Sequence, residues 1–165
     1  MKFDVIVIGG GHSGMEMAMH LQQSGLQCAV VSKGGSLYDA PQDGFRANGG
    51  TILTDEAVSG TIQDGVVTGL ATACLGDDTL TADKYYLATG KFFTGGLRAD
   101  MDRVYEPIFG IDVRYEHDRD RWFGEKFDDP QPFMSFGVET SGNGCALKDG
   151  KEVSNLFPIG EIKAE

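Results

Sequence analysis

The opening residues constrain this chain more than any other stretch. Residues 3–8 (FDVIVI) form a short, β-branched apolar run, the pattern of a strand buried on both faces of a parallel sheet. Gly9, Gly11 and Gly14 follow as a G-x-G-x-x-G turn, and Met15, Ala18, Met19 and Leu21 then recur at helical spacing until Gly25. A glycine there stops the helix. Residues 27–31 (QCAVV) make a second apolar run. Strand, glycine turn, helix and strand in this order specify a βαβ unit with a division of labour among the glycines. Gly9 allows the tight turn, Gly11 lets a pyrophosphate approach the backbone, and Gly14 lets helix and strand pack closely. The helix start supplies N–H donors and the positive end of the dipole, so a phosphate needs no basic side chain.

Glycine-rich turns are common, and it is the context that strengthens this one. In dinucleotide-binding units an acid stands at the end of the second strand and binds the ribose. Here that position holds Ser32. A hydroxyl still hydrogen-bonds a ribose, without the strength of a charged acceptor.

The 165 residues, 41% of them apolar, suit one globular domain over residues 1–165 with its own core. A net charge of −11 disfavours nucleic acid or an anionic membrane as partner, because both call for clustered Lys and Arg. Cys28, Cys74 and Cys145 share no metal or C-x-x-C spacing, which points to a reducing cytoplasm and to small buried apolar residues. The first apolar run is too short for a signal peptide, and no stretch is long enough to cross a bilayer, so no direct membrane insertion is expected.

Residues 34–50 are rich in Gly, Asp, Asn and Pro and read as a connecting loop. Beyond them the chain is β-rich, with strands expected at 51–53, 57–62, 66–74, 79–82 and 85–88, and a hairpin turn at Asp64-Gly65. A late apolar stretch, residues 155–159, ends in Gly160-Glu161, and Pro158 fits best near a sheet edge. Residues 2–8, 27–31, 51–53, 85–88 and 156–159 are expected to share one parallel sheet, with a β-meander as crossover.

This order of elements resembles the Rossmann-like FAD/NAD(P)-binding α/β fold of two-dinucleotide-binding-domain flavoproteins. The matching motifs are Gly9, Gly11 and Gly14, the A-T-G strand end at Ala88-Thr89-Gly90, and the late Ile159-Gly160-Glu161. Within that superfamily, residues 2–32, 91–97 (KFFTGGL), 106–113 (EPIFGIDV), 130–133 (PQPF) and 136–138 (FGV) are similar to the B subunit of anaerobic glycerol-3-phosphate dehydrogenase. The resemblance implies a flavin cofactor, FMN or FAD. It places that cofactor on Gly9, Gly11, His12, Ser13, Gly14, Ser32, Lys33, Ala57, Thr89, Gly90, Gly160 and Glu161. Thr89-Gly90 would pack by the phosphates and Glu161 would bind the ribityl chain, while an FMN protein has less need of an acid at Ser32.

By the same resemblance the protein works with a catalytic FAD subunit and an iron–sulfur subunit. It passes electrons from sn-glycerol 3-phosphate oxidation towards quinone, in the cytoplasm and peripheral to the inner membrane through those partners. Family members are longer, with an insertion where this chain has the loop around residues 38–45 and a glycine-rich segment beyond Gly160. The chain alone is therefore expected to bind flavin weakly.

Residues 9–16 (GGGHSGME) also look like those of FAD-dependent tRNA uridine-modifying enzymes, which the acidic charge fits poorly, and a nucleotide-fold scaffold without ligand is the remaining alternative. His20 and His117 have no partner at metal spacing, the alternating charges of residues 118–121 suit a solvated surface, and Trp122, Phe123, Phe127, Phe133 and Phe136 suit core packing. No acid–base catalyst is recognisable, so the chemistry would rest with the cofactor.

Overall fold

The computed structural model describes residues 1–34 and 42–165. The chain begins with β1 (Lys2–Ile8), α1 (His12–Gln23) and β2 (Cys28–Ser32), and continues through α2 (Gln42–Ala47) into β3 (Thr51–Thr54). A meander follows, made of β4 (Ala57–Gln63), β5 (Val66–Thr72) and β6 (Thr79–Leu87). Short strands come next: β7 (Arg98–Ala99), β8 (Val104–Tyr105), β9 (Val113–Arg114), β10 (Gly137–Val138), β11 (Ala146–Lys148) and β12 (Lys151–Val153). The last strand is β13 (Leu156–Pro158).

The main sheet runs β3-β2-β1-β6-β5-β4, with β13 also on β6. The five segments expected to be parallel are so: β1 lies centrally between β2 and β6, β3 pairs with β2, and β13 pairs with β6. The apolar run of β1 is continuous because both faces are covered. Val5 and Val7 pack with Met15, Ala18, Cys28, Val30 and Phe45 on the helix side. Ile6 and Ile8 pack into the larger core that contains Tyr85, Leu87 and Leu156 on the other. Among the described strands β13 pairs only with β6, so Pro158, which has no N–H to donate, stands on an edge.

Two expectations need correction. The strands expected at 79–82 and 85–88 are one nine-residue strand, β6. Polar Asp83 and Lys84 suggest a break, but β1 pairs along this length, from Lys2↔Thr81 to Ile8↔Leu87, and its ladder carries the strand through the polar pair. On its other side β6 changes partner, from antiparallel β5 at Leu80 to parallel β13 at Tyr85. The loop expected at 34–50 contains α2; residues 35–41 lie outside the described residues. Gly44 inside the helix hides it from the sequence, and the fold secures it from outside. Phe45 is buried, and Gln22 Nε2 donates to the carbonyls of Phe45 (3.1 Å) and Asn48 (2.7 Å).

Residues 57–63 and 66–72 form the expected hairpin, with Asp64 at φ +52° and Gly65 at φ +74°, the paired positive values that Asp-Gly turns favour. Cys28 and Cys145 are buried, but Cys74 is exposed. The aromatic segment divides: Trp122 and Phe136 enter the core with rings 5.8 Å apart, while Phe123 is exposed and Phe127 is 98% exposed.

Candidate functional site

The ends of β1, β2, β6 and β13 converge on one edge of the sheet. Gly9 N donates to Val31 O (2.8 Å), Ala88 N to Ile8 O (2.8 Å) and Ile159 N to Leu87 O (2.9 Å), so the strands finish level with one another. Beyond that edge lies a cleft of about 390 Å³, the position at which open parallel sheets bind ligands.

The glycine turn forms its floor. A Cβ at Gly14 would lie 1.9 Å from Gly9 O, and one at Gly9, where φ is +107°, would lie 2.2 Å from Ala88 O. These two glycines are required by contact between α1, the turn and β6. Gly11 differs: a Cβ there meets nothing within 4 Å and faces open space. Helix α1 begins with Met15 N donating to Gly11 O (3.0 Å), and a helix start leaves earlier backbone N–H groups without intrahelical acceptors.

Of the residues expected at the site, Gly9, Gly11, His12, Ser13, Ser32, Lys33, Ala57, Thr89, Gly90 and Glu161 all line this cleft. Gly14 and Gly160 stand behind the lining. Gly160 backs onto Ser13, whose Oγ would lie 2.7 Å from a Cβ at that glycine, so the turn after β13 rests against the start of α1. His12 Nε2 lies 3.1 Å from Glu16 Oε1 across one helical turn.

Ser32 is 7% exposed, and its carbonyl accepts from Asp55 N (2.8 Å). The carboxylates at this end come from the turn between β3 and β4, and both are engaged. Asp55 Oδ1 accepts from the N–H of Glu56 (2.7 Å) and of Cys74 (3.1 Å). Glu56 Oε1 lies 2.8 Å from Lys33 Nζ. The Lys33 ammonium holds the Glu56 carboxyl below its ordinary value.

Ala88 and Ile159, which the sequence motifs contained without a binding role, line the cleft too, as do Ile8 and Val31, strand ends that sequence reasoning did not single out. Thr94, Asp55 and Ile108 also line the cleft. Nothing local to Ile108 signals this, because it arrives on the long path between β8 and β9.

The FAD binding domain family matches residues 4–40 and 36–165. The chain belongs to that family. Its curated relatives include the B subunit of anaerobic glycerol-3-phosphate dehydrogenase from Glaesserella parasuis serovar 5 (strain SH0165), 36% identical over 124 residues, which are 72% of this chain and 29% of that protein. The corresponding protein of Vibrio vulnificus (strain CMCP6) is 36% identical over 130 residues, 76% of this chain and 30% of that protein. The chain thus spans under a third of the length of these relatives. Among solved structures, the GidA-related protein from Thermus thermophilus superposes with a TM-score of 0.59 over 99% of this chain and 90% of that one, at 16% identity. That likeness concerns the fold.

The cleft of this FAD-binding-domain chain offers a ligand the start of α1, the glycine turn and the end of β6. The Thr89 hydroxyl is buried and has no hydrogen-bond partner among the described residues; a polar group in that condition calls for one. At Gly11 the backbone faces open space, which leaves room for a phosphate to approach it. Among the described residues no group of three or more His, Cys, Asp or Glu is placed to hold a metal.

Proposed function

We propose that this chain is the flavin-nucleotide-binding part of an oxidoreductase subunit, of the kind represented by the B subunit of anaerobic glycerol-3-phosphate dehydrogenase. The observation that carries the reading is the cleft itself. A helix start and glycine turn open into it from one side, with the buried Thr89 hydroxyl unpartnered at its wall. Gly9, Gly11 and Ser13, backed by Gly14, would hold the phosphates of a bound flavin nucleotide together with Thr89 and Gly90. Glu161, carried at the Gly160 turn, would hold the ribityl chain. Ser32, Lys33 and Ala57 line the end where FAD would place its adenosine and where FMN would end.

When bound, the flavin supplies the electron-accepting ring. The protein binds the phosphates through backbone dipoles, orients the chain and excludes water from one side of the site. No proton donor of this chain is required. In the cell the protein receives electrons from a catalytic FAD subunit oxidising sn-glycerol 3-phosphate and hands them to an iron–sulfur subunit and quinone. It stands in the cytoplasm, peripheral to the inner membrane through those partners. No helix among the described residues is long and apolar enough to cross a membrane. The net charge of −11 favours this reading over an RNA-modifying one.

The test is a fluorescence titration of the purified chain with FAD and with FMN, alongside its absorbance spectrum. Saturable quenching in the micromolar range is expected, with little flavin retained through purification, because an open cleft leaves much of the ring in water and each tenfold loss of affinity corresponds to about 1.4 kcal/mol. Absence of saturable binding by either flavin overturns the reading. A yellow protein carrying one flavin per chain overturns the expectation of weak occupancy.

A further inference from the structure

The segment 106–113, EPIFGIDV, has no part in the binding scheme above, yet it contains the most deeply buried carboxylate among the described residues. Glu106 is 1% exposed. Its Oε1 accepts from Ile108 N (2.9 Å), and its Oε2 accepts from Phe109 N (2.7 Å) and Gly110 N (3.0 Å). No cation pairs with it among the described residues. The side chain has folded its own following turn around itself, with backbone dipoles in place of a counter-ion.

That turn is held from two further directions. Gly60 N, on β4, donates to Ile108 O (2.9 Å), and Lys148 Nζ donates to Phe109 O (2.8 Å). The Phe109 ring fills the space beside Gly60, where a Cβ would lie 2.0 Å from it. The turn has one residue at the cleft, Ile108. Most of the lining comes from strand ends and the glycine turn; Ile108 reaches it from the path between β8 and β9 and is half-buried, packed against the larger core.

We propose that Glu106 is a positioning residue for the ligand cleft: by gathering three successive N–H groups it fixes the 106–110 turn so that Ile108 keeps its place in the lining against the bound nucleotide. The inference rests on the reading of the cleft as a flavin site. Glu106 touches no ligand and acts through Ile108 alone. A glutamine has the same size but presents an N–H₂ group to a backbone donor, so it loses at least one of the three bonds and lets the turn move.

The experiment is a double-mutant cycle read by FAD titration on the unmodified chain, Glu106→Gln, Ile108→Ala and the double variant. Glu106→Gln is expected to weaken FAD binding about tenfold, equivalent to about 1.4 kcal/mol. In the Ile108→Ala background it is expected to weaken binding less than twofold, because the side chain it positions is gone. A role limited to general stability gives the same loss in both backgrounds and overturns the proposal. The second readout needs no ligand: the Ile108 methyl resonance should move in Glu106→Gln while that of Ile8, on the sheet side, stays in place. An unmoved Ile108 methyl also overturns the proposal. If the unmodified chain binds no flavin, the flavin reading falls, and the methyl readout decides the positioning claim by itself. Should Glu106→Gln not fold, Glu106→Asp enters the same cycle, with its charge kept and its reach too short for all three donors.

Discussion

The two halves of this molecule are held together by different means. In the half built from β1, α1, β2, β3 and β13, partners are regular elements, and the core alternates across strands. In the other half, residues 88–155, strands are only two or three residues long, and single side chains replace the missing ladders. Asp112 accepts from Asp149 N (2.9 Å) and Gly150 N (2.8 Å). Asn155, just before β13, takes Val67 N on its Oδ1 (2.8 Å) and gives its Nδ2 to Val67 O (3.0 Å), joining positions 88 residues apart. Regular pairing tolerates the loss of one side chain. A lone carboxylate or amide that satisfies two backbone groups does not.

Substitutions should separate the halves. The largest effect is expected from Gly14→Ala, where the added carbon meets Gly9 O at 1.9 Å and backbone must shift at the joint of turn, helix and sheet. A loss of about 3 kcal/mol or more is expected by urea unfolding. A loss below about 1 kcal/mol would mean that this joint is looser than its geometry.

Next comes Asn155→Ala, which leaves the buried Val67 N–H and its carbonyl without their partner. The expected loss is about 2 kcal/mol, with early hydrogen exchange at Val67. A neutral result would remove the contrast between the halves.

The third effect is smaller and depends on pH. Burial pushes the Glu106 carboxyl up, against the lowering effect of the N–H groups of Ile108, Phe109, Gly110 and Ile111. A folded-state value above the unfolded one means that the folded chain holds this proton more tightly. The contribution is therefore fully present below the ordinary glutamate value and is lost as pH rises through the raised one. The unfolding free energy of the unmodified chain, taken relative to Glu106→Gln, should fall across that window. A flat difference would show that the backbone donors offset burial completely.

The smallest effect on stability belongs to Gly11→Val. With nothing within 4 Å of the new Cβ, unfolding should change by less than about 1 kcal/mol. Flavin binding should disappear, because the side chain takes the space of the phosphates. Unchanged flavin titration would remove Gly11 from the site.

The contrast also explains what could be read in advance. The parallel core was legible because strand period, glycine turn and helix spacing are local. Ten of the twelve expected site residues line the cleft, and the two behind it, Gly14 and Gly160, support it by close approach. Helix α2 was not legible because its stability lies in Phe45 burial and Gln22, not in its own composition. The unity of β6 was hidden because its ladder belongs to β1. Ile108 was invisible because a turn wrapped around a buried carboxylate has no periodicity, and its placement depends on Gly60 and Lys148, far away in sequence.

The double partnership of β6 also imposes an order of events on folding. Its parallel neighbours are β1, paired from Lys2↔Thr81, and β13, paired from Leu156↔Tyr85, so two strands far apart in sequence meet on the same central strand. Closing such distant loops is slow compared with helix or hairpin formation. During synthesis β1 waits with an apolar edge unpaired through some eighty residues of elongation, an interval in which that edge is open to chaperones or to misassociation. In pulse-labelled hydrogen exchange, protection of the hairpin β4–β5 should therefore precede that of the β1–β6 ladder.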